Sequence, residues 1–141
     1  MLGANVVIAS RKLEVLKDTA SEFTRELNLN SNICEVFKCN IRDETEVKKL
    51  FEFANSKFGK VDFLVNNGGG QFPSPVEAIS ANGWRTVIDL NLNGTFLCCK
   101  EAFNSCMGQH GGAIVNIVCE MNSGFPGMAH TGAARAGVVN L

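Results

Sequence analysis

The residues best placed to do chemistry are Asn66-Asn67-Gly68-Gly69-Gly70, which follow the apolar run Val61-Asp62-Phe63-Leu64-Val65. Consecutive glycines let backbone approach a ligand closely and permit positive φ, and the two amides can tie neighbouring strand ends by hydrogen bonds. Such a stretch suits a parallel-sheet strand whose carboxyl end faces a ligand crevice, and it would serve equally as a tight structural turn. Asn91-Leu92-Asn93-Gly94 is a second polar group, set in an otherwise helical stretch. Cys119, Glu120 and His130 invite a thiol–imidazole nucleophile, but nothing in their spacing fixes a geometry, so ordinary loop and core roles are expected. Cys98-Cys99 lies on a helix, where adjacent residues point about 100° apart, and reads as small core residues.

Composition narrows the classes. The 141 residues suit one domain. Thirteen basic and 14 acidic residues leave a net charge of −1, without the electrostatic footprint of a nucleic-acid or anionic-membrane binder. Six cysteines with no CxxC pair and only two histidines lack zinc-ligand spacing, so reduced thiols are expected. No run reaches the roughly 18 apolar residues of a membrane span. These features point to a soluble protein that binds a small ligand.

The elements that must position these groups alternate. Ala4 to Ala9 reads as a strand, and Leu13, Leu16, Ala20, Phe23 and Leu27 recur at helical spacing after it. Asn28 to Asn32 is a polar break. Ile33 to Cys39 is a second strand, and Asp43 or Thr45 can cap a helix with a buried stripe of Val47, Leu50, Phe51, Ala54 and Phe58, ended by Gly59. Val61 to Val65 is the third strand. A loop holding Pro73 and Pro75 follows, then a helix from about Trp84 to Met107, weakened at Asn91 to Gly94. Ala113 to Val118 is a fourth strand, Cys119 to His130 a loop, and Thr131 to Leu141 helical. Strands alternating with helices imply a parallel sheet with right-handed crossovers.

These residues resemble the short-chain dehydrogenase/reductase family. Asn66-Asn67-Gly68-Gly69 is similar to the family's NNAG turn, Asn91-x-x-Gly94 to its NxxG helix motif, and Ile114-Val115-Asn116-Ile117 to the strand before its catalytic serine. Within the family, Val65 to Phe72 and Gly132 to Val138 look most like the peroxisomal trans-2-enoyl-CoA reductase branch. The resemblance implies a Rossmann-like, doubly wound α/β fold over residues 1–141. It also implies NADPH as cofactor, a fatty acyl-CoA substrate whose conjugated double bond is reduced, and a peroxisomal location. Arg11 would pair with the 2′-phosphate, with Ser10 and Lys12 beside it. Asn40 and Ile41 would face the adenine, Asn67, Gly68 and Gly69 would line the cofactor channel together with Asn66, and Asn91 would be the catalytic-site residue. Association through helices is a further expectation.

Some family features have no counterpart here. No GxxxGxG occurs, and the family's serine position falls near Cys119. Its tyrosine and lysine fall at Thr131 and Arg135 in one alignment, and in the other the reductase tyrosine falls at Val139. The sheet is therefore expected to be incomplete, without the family's first strand and C-terminal strands. In the order 3-2-1-4-5 that first strand is central, so its two neighbours should keep unpaired inner edges or close a gap of about 4.8 Å. Two readings follow: an NADPH-dependent enoyl-CoA reductase, or a catalytically inactive remnant that binds nucleotide weakly or associates with other chains.

Overall fold

A computed structural model describes residues 3–27, 33–120 and 124–141. Strand β1 (Val6–Ser10) leads into helix α1 (Leu13–Glu26), and β2 (Cys34–Lys38) into α2 (Glu44–Phe58). Then come β3 (Phe63–Asn66) and, beyond a short 3₁₀ turn at Val76–Ala78, helix α3 (Ala81–Ile88). A π turn at Asp89–Asn93 joins α3 to α4 (Gly94–Ala102), a second at Phe103–Met107 precedes α5 (Gly108–His110), and β4 (Ala113–Asn116) and α6 (Ala129–Asn140) complete the order. The expected alternation is present with shifted boundaries. Ser10 belongs to β1, and α6 starts at Ala129, so His130 and Thr131 fall in its first turn. The polar break expected at Asn28 to Asn32 lies outside the described residues, as does part of the loop after Cys119.

Among the described residues, β1 pairs in parallel with β2, from Val6 opposite Cys34 to Ser10 opposite Lys38, and β3 with β4, from Phe63 opposite Ala113 to Asn66 opposite Asn116. β1 and β3 do not pair. Of the two outcomes expected for the centre of the sheet, the open one is found: each pair keeps an inner edge. Side chains alternate along β3, leaving Phe63 and Val65 75% and 61% exposed while Asn66 is buried on the other face.

That other face carries the core. Cys39, Val47, Phe51, Cys98, Ala102 and Met107 form one buried cluster, against which Ile41, Leu50 and Leu64 pack. Helix α2 presents its apolar stripe there because Asp43 fixes its start: Oδ1 accepts from the Thr45 and Glu46 amides at 2.8 and 3.1 Å. Its end is fixed by Gly59, whose φ of +84° only glycine adopts cheaply. Glu46 in turn accepts the Asn40 amide at 2.7 Å, so the cap also shapes the loop that leads to the site.

The core thiols make stability depend on pH. Burial, with help from nearby charge, pushes Cys39 up to about 11 and Cys98 up to about 12 from an ordinary value of 9.0. Both are held neutral in the fold and ionise more readily in the unfolded chain. Their contribution is therefore complete below pH 9.0 and is lost as pH rises toward 11 and 12. Urea midpoints are expected to fall between about pH 8 and pH 10, and a Cys39→Ala/Cys98→Ala double variant should flatten that fall.

Candidate functional site

The carboxyl ends of β1, β2 and β3 converge on one cleft of about 170 Å³. Ser10 and Arg11 come from the end of β1, Asn40 and Ile41 from the loop after β2, Gly68 and Gly69 from the turn after β3, and Leu90 from the π turn. Parallel strands ending on one side bring these distant segments together. Lys12 and Asn67, expected beside them, are exposed and lie outside the lining. The Lys12 amide donates to Ser10 Oγ at 3.3 Å. Lys12 is also the N-cap of α1 and makes no side-chain cap, so the first turn of that helix, which follows Arg11 in the chain, keeps its backbone donors.

The glycine turn works by close approach. Gly68, Gly69 and Gly70 are not among the glycines with positive φ, so the conformational freedom expected of them is not used. Space is what they supply. A Cβ on Gly68 would lie 2.7 Å from Ile41 Cδ1, and one on Gly94 would lie 2.8 Å from Ile41 Cγ1. Ile41 thus sits between two glycines from different elements and forms an apolar wall of the cleft. Asn40 turns its Oδ1 to the Arg42 backbone and Nε, both at 3.4 Å.

Asn91 stands behind the turn, fully buried. Its Nδ2 donates to Gly70 O at 2.7 Å and to Val87 O at 2.9 Å, and its Oδ1 accepts from the Gly70 amide at 3.3 Å. A π turn disturbs the regular i−4 ladder, and here the Asn91 side chain serves the Val87 carbonyl four residues back. Thr95 Oγ1 donates to Asn91 O at 3.0 Å. One amide therefore fixes both the helix irregularity and the glycine turn. Asn66 ties the strand ends, with Nδ2 donating to Asn116 Oδ1 at 2.9 Å.

Neither Arg135 nor His130 was assigned a site role from the sequence; both are buried, Arg135 against the glycine turn and His130 against Phe72. Arg135 Nη2 donates to Gly68 O at 3.4 Å, and its Nη1 has no hydrogen-bond partner among the described residues. Burial pushes this guanidinium below its ordinary value, and the charge of Cys119 acts in the opposite sense. Thr131 is buried on the same helix, its Oγ1 3.3 Å from His130 Nδ1, a nitrogen that also accepts the Thr131 amide at 2.8 Å. That amide bond makes Nδ1 the acceptor, and the His130 ring meets Phe72 edge-on with centroids 4.6 Å apart. The signal for Arg135 in the sequence was its place at the family's lysine position.

Residues 1–141 match the family described as short chain dehydrogenase. A peroxisomal 2,4-dienoyl-CoA reductase of Danio rerio is 32% identical, with 95% of this chain covered and 44% of the relative. A citronellol catabolism dehydrogenase structure from Pseudomonas aeruginosa is 42% identical at a TM-score of 0.90, covering 99% of this chain and 55% of that one. An actinorhodin polyketide ketoreductase solved with NADPH is 29% identical, also at a TM-score of 0.90, over 98% and 52% of the two chains. The chain spans about half the length of the curated relatives it matches.

Proposed function

Because the chain belongs to the short-chain dehydrogenase family, we propose that its cleft holds the adenosine end of NADPH within an oxidoreductase that acts on acyl thioesters of the enoyl-CoA type. The observation that carries this reading is the mouth of the cleft, where Arg11 is followed in the chain by the uncapped first turn of α1. A guanidinium and free helix N–H groups together suit a phosphate, and an arginine here favours the 2′-phosphate of NADPH over the hydroxyl of NADH. At about 170 Å³ the cleft is below the roughly 300–1,000 Å³ of a whole ligand pocket, which fits one end of a dinucleotide. Ser10 and Asn40 offer hydrogen bonds to the ribose and base, Ile41 an apolar wall, and Gly68 and Gly69 a backbone surface that a ligand can approach.

Bound NADPH would supply a hydride to the substrate. The chain's own part is to hold and orient: the Asn91 amide keeps the Gly68–Gly70 turn and the π turn in register, so the cofactor wall and the helix behind it form one unit. The acyl-CoA substrate class rests on the sequence resemblance and is supported by the names of relatives such as the zebrafish dienoyl-CoA reductase.

A second reading, nucleotide binding without turnover, is favoured by one observation. The Thr131 hydroxyl, at the family's tyrosine position, is buried against His130, and Val139, its alternative, has no proton to give. Loss of NADPH absorbance on mixing the chain with a trans-2-enoyl-CoA separates the two: turnover supports the reductase, and binding without turnover supports the second reading. Arg11→Glu is expected to weaken NADPH binding at least about tenfold while leaving NADH within about threefold. Equal losses for both nucleotides would remove Arg11 from the 2′-phosphate.

A further inference from the structure

Arg135 is a buried cation that the reading above does not use. It is 9% exposed on α6, and its Nη1 is shielded from solvent without a hydrogen-bond partner among the described residues. A buried guanidinium whose donors are not all used is costly, so its retention calls for a reason. The geometry supplies one. Nη2 reaches the Gly68 carbonyl and presses so closely on Gly69 that any Cβ there would overlap it, and Asn91 Oδ1 would stand 2.8 Å from the same Cβ.

The turn is thus held from two elements that are distant in sequence. Asn91, from the π turn, takes both the N–H and the C=O of Gly70, and Arg135, from α6, takes the C=O of Gly68. We propose that Arg135 is a positioning residue that fixes the Gly68–Gly70 turn in the shape that walls the nucleotide cleft, although it is not itself in the cleft lining. The ligand in this statement rests on the function proposed above. Three glycines in a row carry the largest conformational freedom a chain can have, so an unpinned turn would have to be ordered at the moment of binding. That cost would be read as lost affinity rather than lost stability.

Two measurements on the 141-residue chain test this: NADPH affinity by calorimetry alongside thermal unfolding, and amide hydrogen exchange at Gly70, whose N–H is held by Asn91 Oδ1, without nucleotide. Arg135→Met keeps the apolar stem and removes the charge, so unfolding should be unchanged or raised. NADPH affinity should fall at least about tenfold, and the Gly70 amide should exchange faster. Arg135→Lys keeps one donor for the single bond to Gly68 and should recover affinity to within about threefold. Unchanged exchange in Arg135→Met, or wild-type affinity, overturns the proposal. Absence of NADPH binding by the unsubstituted chain would count against the proposed function, and the exchange rates would still decide the role of Arg135.

Discussion

Asn91→Ala is expected to lower unfolding stability by about 3 kcal/mol and to abolish measurable nucleotide binding. The substitution deletes three hydrogen bonds at once and leaves the Gly70 N–H, the Gly70 C=O and the Val87 C=O without their partner. Gly70 is exposed and can turn to water, so most of the loss falls on the buried Val87 carbonyl and on the cavity left by a fully buried side chain, each on the order of 1 kcal/mol or more. Asn91→Asp is the sharper control, because it keeps the acceptor for the Gly70 amide and loses both donors. Urea unfolding of the two variants should rank them wild type, then Asp or Ala well below. A stability loss under about 1 kcal/mol for Asn91→Ala would mean that the turn and the π turn stand without the amide.

Gly69→Ala should produce the second largest effect, in a different currency. Its Cβ would occupy the space of the Arg135 guanidinium and crowd Asn91 Oδ1, so the turn must lift away from both residues. Overpacking of this kind costs about 1–3 kcal/mol, and the displaced turn removes one wall of the cleft. Nucleotide affinity is expected to fall about a hundredfold. Gly59→Ala makes the contrast: nothing lies near its Cβ, its φ of +84° carries the penalty, and nucleotide affinity should not move. If the two variants bind nucleotide equally well, close packing behind Gly69 has no bearing on the cleft.

The element order was legible because the periodicities are clean: α2 shows its stripe and its Asp43 cap, and β3 and β4 read as short apolar runs. Strand order placed the irregularity at the centre of the sheet but left two outcomes open there, unpaired inner edges or a closed gap, and the structure shows the first. Boundaries were not legible. Sequence patterning cannot show that Ser10 still hydrogen-bonds within β1, or that α6 reaches back to Ala129.

The site was half legible. Ser10, Arg11, Asn40, Ile41, Gly68 and Gly69 meet in one cleft because all lie at or just after the carboxyl ends of strands, which pattern reasoning can place. Asn67 and Lys12 fall outside the lining because single residues in a turn point either way. What could not be read is depth. Two residues 44 positions apart, Asn91 and Arg135, close on one glycine turn only through the packing of α6 against the π turn and α3.

On the function proposed above, this cleft reads the phosphate that distinguishes NADPH from NADH. Calorimetric titration of the chain with each nucleotide at the same salt concentration tests it most directly. Micromolar binding of NADPH is expected, with binding of NADH weaker by at least about tenfold. Equal affinity for the two nucleotides, or no binding of NADPH, would contradict it.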